Sequence, residues 1–178
     1  FKKKLFKNLQ KKIRMKKINC AIIGFGNIGK IQADFLLKNK DTNLVYIFEK
    51  NRTIVKRFQH KYKSVSWVNN EDKIFQDNKI DLVVICSYDN FHFKQIVKAI
   101  KNKKNVFCEK PVCQNLSQLK KIRNLLRKNN KLKFSSNLVL RTVNEFKFLK
   151  KIVQNRKIGD IYYVEADYNY GRLKKITE

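Results

Sequence analysis

A glycine-rich turn near the start of the chain has the residues and the spacing that bind a pyrophosphate. The turn consists of Gly24, Phe25, Gly26, Asn27, Ile28 and Gly29. In this pattern the first glycine permits a tight bend, the second lets the backbone approach the phosphates, and the third lets helix and strand pack closely. The free N–H groups at the start of the following helix hold the phosphates. We predict a dinucleotide site; the alternative is a glycine-rich turn without a ligand.

One carboxylate is spaced to choose between the two common nicotinamide cofactors. Glu49 lies twenty positions after Gly29, at the end of the second apolar run. A carboxylate there accepts hydrogen bonds from the adenosine ribose and repels a 2′-phosphate, which favours NAD. Lys50 and Arg52 beside it could instead bind that phosphate, so NADP is the alternative.

Two further polar segments follow predicted strands, at the carboxyl ends where a parallel sheet presents its ligand. The first contains Ser87, Tyr88 and His92. His92 is one of two histidines in the chain. Taken alone, a histidine here more often packs at a helix N-terminus than takes part in catalysis.

The second polar segment is Glu109-Lys110-Pro111, and Pro111 is the only proline in the chain. A cis Lys110–Pro111 bond would turn the backbone sharply and direct the Lys110 amine into the cleft. The alternative is a proline that ends a strand.

The elements that position these residues alternate between short apolar runs and amphipathic helices. Strands are predicted at 18–23, 44–48, 65–67, 81–86, 106–108 and 132–135. Apolar strands separated by helices indicate a parallel sheet covered on both faces, so residues 15–136 are predicted to form a doubly wound α/β Rossmann domain. In its first helix the predicted buried face consists of Ile28, Ile31, Phe35 and Leu36.

The pattern changes after this domain. One more amphipathic helix runs from Val143 to Val153, and residues 161–170 alternate between apolar or aromatic and polar side chains. Such alternation is typical of a half-exposed strand. Residues 137–178 are therefore predicted to begin a second α/β domain that the sequence does not complete.

The charge and composition exclude several classes of protein. The formal net charge is +28, but the basic residues are spread over almost every segment, so we expect no specific nucleic-acid partner. No apolar run is long enough to cross a bilayer, and no signal peptide is visible, which predicts a cytoplasmic protein. The four cysteines lack metal-ligand spacing, and no metal site is predicted. Residues 1–14 are interpreted as a basic N-terminal extension, with a membrane-surface helix as the alternative.

Several of these features together resemble the glucose–fructose oxidoreductase / inositol dehydrogenase (Gfo/Idh/MocA) family. They are INCAIIGFGNIG, the acidic strand end at Glu49, DLVVICSYDNFH and the Glu109-Lys110-Pro111 triplet, and the resemblance covers about residues 16–172. It implies that Gly24, Gly26 and Gly29 form the pyrophosphate loop. It also makes Glu49 the ribose-binding acid.

The resemblance extends to the nicotinamide and substrate side. Ser87 matches a Thr/Ser that lies against the cofactor, and His92 matches the histidine that ends that motif. Tyr88 stands where the family usually has proline. Lys110, flanked by Glu109 and Pro111, matches the lysine that contacts nicotinamide and substrate. Arg141 resembles the arginine at the domain junction.

The resemblance also implies a second domain that holds the substrate and often dimerises, so a homo-oligomer is expected at full length. The family's proton-transferring Asp and His would lie beyond Glu178. The leading hypothesis is the front part of an NAD(P)-dependent dehydrogenase of sugars or polyols, in which Lys110 orients the substrate. A non-enzymatic NAD-binding or regulatory module and a basic polyanion-binding protein are the alternatives.

Overall fold

The structure is a computed structural model that describes residues 16–169. The strands are β1 (Ile18–Ile23), β2 (Thr42–Phe48), β3 (Ser66–Val68), β4 (Leu82–Ile85), β5 (Asn105–Cys108) and β6 (Phe134–Ser136). The helices are α1 (Asn27–Lys38), α2 (Arg52–Phe58), α3 (Asp72–Gln76), α4 (Asp89–Lys101), α5 (Leu116–Lys128) and α6 (Asn144–Gln154), with a 3-10 helix at Val139–Thr142. The chain divides into two units between Asn137 and Leu138.

The six strands form one parallel sheet in the order β3-β2-β1-β4-β5-β6. This arrangement confirms the predicted α/β Rossmann fold. The order of the strands reverses between β1 and β4, and a parallel sheet opens a crevice at the carboxyl ends of its strands at such a point. The glycine-rich turn follows β1, and the Ser87 segment follows β4, so both lie at this crevice.

Alternate residues of β1 support the core on the two faces of the sheet. Cys20 and Ile22 belong to a buried cluster that includes side chains of α1 and α2. Ala21 and Ile23 belong to a second cluster that includes side chains of α3, α4 and α5. All four β1 residues are fully buried, because helices cover both faces of the sheet at this strand.

The predicted buried face of α1 is wrong except at Leu36. Ile28, Ile31 and Phe35 are 42, 61 and 60% exposed. The reason is the third glycine: a Cβ on Gly29 would lie 2.1 Å from the carbonyl oxygen of Gly24. This close approach turns the Gly29 side of the helix toward β1. The buried residues of α1 are Gly29, Ala33 and Leu36.

Phe25 lies in an aromatic cluster beneath the glycine-rich turn. Its ring is fully buried and makes edge contacts with Phe58, Tyr62 and Trp67 at centroid distances of 5.9, 5.2 and 4.9 Å. The Tyr62 hydroxyl donates to a carboxylate oxygen of Asp34 on α1 at 2.9 Å. The cluster therefore supports the turn from the core side.

We expect Phe25→Ala to lower the free energy of unfolding by about 3–5 kcal/mol, because it leaves a cavity among three aromatic rings. Chemical denaturation measures the change. The matched control is Phe35→Ala on α1, where the ring is 60% exposed, and its effect should stay below about 1 kcal/mol. Equal losses in the two variants would contradict the assigned burial.

The second unit differs from the prediction in one element. Helix α6 forms where the periodicity predicts it, but residues 161–169 are exposed and form no strand. A strand needs a neighbouring strand to satisfy its backbone hydrogen bonds, and no strand within residues 16–169 pairs with this segment in a sheet. None of the described helices combines the length and apolarity needed to cross a bilayer.

Candidate cofactor site

Two of the three glycines in the turn are required by the protein's own packing. Gly24 has a φ of +91°, and a Cβ at this position would lie 2.5 Å from the backbone nitrogen of Ser87. At Gly29 a Cβ would meet the carbonyl oxygen of Gly24 at 2.1 Å. These contacts bring β1, α1 and the end of β4 together, and any side chain would push them apart.

Gly26 differs from the other two because a Cβ at this position would meet no atom within 4 Å. Its backbone, with φ of −69° and ψ of −162°, suits any residue. The absence of a side chain therefore leaves open space in front of α1. No side chain caps this helix start, and N–H groups at a helix N-terminus attract an anion. The turn fits a pyrophosphate held at Gly26.

Glu49 joins the end of β2 to the glycine-rich turn. Its Oε2 accepts a hydrogen bond from the backbone N–H of Phe25 at 2.6 Å, and its Oε1 accepts one from the backbone N–H of Asn51 at 2.8 Å. The carboxylate is half-buried, whereas Lys50 and Arg52 are exposed. Each carboxylate oxygen retains a lone pair, so Glu49 can hold the turn and still accept a bond from a ribose hydroxyl.

The Ser87 hydroxyl lies at the carboxyl end of β4, next to Gly24. It donates a hydrogen bond to the side-chain oxygen of Gln95 at 2.7 Å. Gln95 is a buried residue of α4, and its amide nitrogen donates to Glu71 Oε2 at 2.8 Å. Three side chains from three segments thus form one hydrogen-bonded chain behind the cleft.

His92 connects the Ser87 and Pro111 segments from the core side. Its ring is buried, with Nδ1 2.7 Å from the carbonyl oxygen of Pro111 and Nε2 2.9 Å from that of Ser87. A neutral imidazole donates to one of these oxygens, and an imidazolium donates to both. Since both ring nitrogens face backbone oxygens, His92 positions the two loops and presents no free nitrogen to a ligand.

The Glu109-Lys110-Pro111 segment extends from β5 at the same edge of the sheet. The Lys110–Pro111 bond is cis, which confirms that prediction. Glu109 Oε1 accepts a hydrogen bond from the side-chain nitrogen of Asn137 at 2.6 Å, so the end of β6 fixes this carboxylate. The Lys110 side chain is exposed.

Cys86 lies beneath the turn but does not offer a nucleophile. A Cβ on Gly29 would lie 3.7 Å from the Cys86 Cβ. Burial, together with the nearby Glu109 carboxylate, raises the pKa of the Cys86 thiol to about 12. The thiol therefore stays protonated at neutral pH, and a protonated thiol is a poor nucleophile.

The remaining candidates occupy different environments. Phe25 points into the core, so only its backbone can face a ligand, whereas Asn27 and Ile28 are exposed at the start of α1. Tyr88 is 82% exposed. Arg141 is exposed in the 3-10 helix of the second unit.

Sequence reasoning missed Gln95, Glu71 and Asn137. Gln95 carried a usable signal, since it is a polar residue on the same face of α4 as the buried residues Ile96 and Ala99. A polar side chain at a buried position needs a hydrogen-bond partner. Glu71 and Asn137 lie in loops and gave no comparable signal.

A comparison with protein families places this geometry in a known group. The family model described as an oxidoreductase family with an NAD-binding Rossmann fold (Gfo/Idh/MocA) matches residues 18–137. The chain belongs to this family. The match begins at β1 and ends after β6, so it covers the whole sheet and every site residue described above except Arg141.

Individual relatives agree with this assignment. The chain is 29% identical over 157 residues to the uncharacterized oxidoreductase YhhX of Escherichia coli, covering 87% of this chain and 45% of that protein. It is 30% identical over 139 residues to myo-inositol 2-dehydrogenase of Thermotoga maritima, covering 78% and 41%. The chain spans less than half the length of these relatives.

A solved structure shows the same fold with its ligands. Scyllo-inositol dehydrogenase from Lactobacillus casei with bound NAD(H) and scyllo-inositol is 29% identical and superposes with a TM-score of 0.74. The superposition covers 82% of this chain and 43% of that enzyme. Residues 18–137 are thus an NAD(P)-binding Rossmann domain of an oxidoreductase family.

Proposed function

We propose that the chain is the NAD-binding part of a dehydrogenase that acts on a sugar- or polyol-type substrate. The observation that carries the proposal is the open position at Gly26, in front of an uncapped helix start. Glu49 and Ser87 follow strands on either side of this turn. The inositol dehydrogenases among the relatives support the substrate class.

Each residue of the site has a distinct role in this proposal. The turn binds the pyrophosphate through backbone N–H groups, and Glu49 accepts hydrogen bonds from the adenosine ribose. The nicotinamide supplies the hydride chemistry when the cofactor is bound. Lys110 is a flexible, exposed cation that orients the substrate oxygen, and Asn137 keeps Glu109 in place beside it.

The test of this function is NAD-dependent oxidation of a panel of inositols, sugars and nucleotide sugars by the full-length natural protein, followed through NADH absorbance. Lys110→Met keeps an unbranched side chain only one atom shorter and removes its charge. We expect turnover with at least one polyol or sugar and a loss of about 10²-fold or more in the variant. Turnover unchanged by Lys110→Met would remove Lys110 from the site.

Cofactor choice follows from the charge of Glu49. We expect tighter binding of NADH than NADPH, and a preference reduced about tenfold in Glu49→Gln, because the amide no longer repels a 2′-phosphate. The amide oxygen can still accept one of the two backbone hydrogen bonds that Glu49 accepts, whereas the amide nitrogen cannot accept the other. Calorimetric titration with both cofactors measures the ratio. Tighter binding of NADPH by the unmodified chain contradicts the prediction.

A further inference from the structure

The hydrogen-bonded chain behind Ser87 has a fixed direction. Gln95, only 5% exposed, places its amide nitrogen 2.8 Å from Glu71 Oε2 and its oxygen 2.7 Å from Ser87 Oγ. An ionised carboxylate only accepts hydrogen bonds, so the Gln95 nitrogen must face Glu71. The reverse orientation would set the amide oxygen against the carboxylate.

This direction determines the state of the Ser87 hydroxyl. Because the oxygen of Gln95 faces Ser87, the single O–H of Ser87 points inward to it. The other acceptor near this hydroxyl is the carbonyl oxygen of Tyr88 at 3.5 Å, which is too long to compete. The hydroxyl is then left with lone pairs on its outer side.

The outer side of Ser87 belongs to the cofactor cleft. The backbone nitrogen of Ser87 is so close to Gly24 that a Cβ there would lie 2.5 Å from it, and Ser87 is half-exposed at the end of β4. His92 fixes the backbone of the same residue through the Ser87 carbonyl oxygen. Both the place and the orientation of the hydroxyl are therefore set by residues behind the cleft.

We propose that Gln95 and Glu71 are positioning residues that make Ser87 a hydrogen-bond acceptor toward the nicotinamide half of the bound cofactor. The group that Ser87 recognises is then a donor, either the carboxamide N–H or a hydroxyl of the nicotinamide ribose. This inference rests on the proposed NAD-binding function. It adds that Gln95 and Glu71, which lie behind Ser87, select a ligand group that donates a hydrogen bond to the Ser87 hydroxyl.

The experiment compares NADH with ADP, which keeps the adenosine and both phosphates but lacks the nicotinamide and its ribose. Calorimetry on the full chain should show that Ser87→Ala and Gln95→Met each weaken NADH binding about three- to tenfold, with ADP binding unchanged. Ser87→Thr retains the hydroxyl and should restore NADH affinity. If Gln95→Met does not fold, Glu71→Ala is the second variant, at a less buried residue. It removes the carboxylate that orients the Gln95 amide and should cause the same loss of NADH affinity.

A double variant separates positioning from general structural damage. Since Gln95 acts through the hydroxyl, Gln95→Met should have no further effect on NADH affinity in a Ser87→Ala background. The reduced acetylpyridine analogue of NADH, which has no carboxamide N–H, distinguishes the two donors. Ser87→Ala will leave its binding unchanged if the donor is the carboxamide, and will weaken it if the donor is a ribose hydroxyl.

Three results would overturn the proposal. The first is an NADH-to-ADP affinity ratio that Ser87→Ala leaves unchanged. The second is a Gln95→Met effect that persists in full without the hydroxyl. The third is the absence of binding by both NADH and ADP, which would remove the proposed function as well, whereas the first two leave that function intact.

Discussion

Valine at position 26 is expected to abolish NADH binding and to leave the fold intact. The backbone of Gly26 has ordinary dihedral angles, and a Cβ meets no protein atom within 4 Å. The new side chain would therefore occupy the space where the pyrophosphate approaches. We expect a loss of at least about a hundredfold in affinity, measured by calorimetric titration with NADH.

Thermal unfolding of the same variant provides the control for folding. Loss of glycine at this N-cap should cost no more than about 1 kcal/mol of stability. Ile31→Val adds no new atoms at a position of α1 that is 61% exposed and should bind NADH like the parent. If Gly26→Val binds as tightly as the parent, the turn does not hold the cofactor.

A methyl group at Gly29 should have the opposite effect and destabilise the protein. Its Cβ would lie 2.1 Å from the carbonyl oxygen of Gly24 and 3.1 Å from the carbonyl carbon. Both are backbone atoms, so relief requires α1 to move away from β1. We expect Gly29→Ala to lower the free energy of unfolding by about 3 kcal/mol, measured by chemical denaturation.

The matched control for Gly29→Ala is Gly26→Ala, which makes the same chemical change three positions earlier. The two substitutions should separate the two roles of glycine in the turn. Gly26→Ala should mainly weaken NADH binding, and Gly29→Ala should mainly lower stability. Equal stability losses in both would show that neither role is specific to its position.

The predicted parts of the fold depended on local patterns. Buried parallel strands are apolar throughout, so β1 and β4 were recognisable as short runs. The turn was also recognisable from a local pattern, because consecutive residues form it. Gly24, Gly26 and Gly29 have the characteristic spacing between a strand and a helix. Glu49 was found from its distance along the chain, which the strand–helix–strand unit sets.

The missed parts depended on packing between distant segments. Ile28 and Ile31 point outward because Gly29 approaches Gly24 closely. The apolar periodicity of α1 gives no information about that contact. Residues 161–169 alternate like a strand, but a strand also requires a neighbour.

The sequence by itself determined the parallel sheet, the glycine-rich turn and the residue types at the strand ends. Only the tertiary structure decided which groups those residues contact. Gln95 and Glu71 are 24 positions apart, and His92 and Pro111 are 19 apart. Hydrogen bonds over such separations form when packed elements bring the partners together, so no local pattern encodes their direction. The direction of the hydrogen bond between Gln95 and Glu71 sets the hydrogen-bonding state of Ser87, and the contacts of His92 with the Ser87 and Pro111 carbonyl oxygens hold its ring behind the cleft.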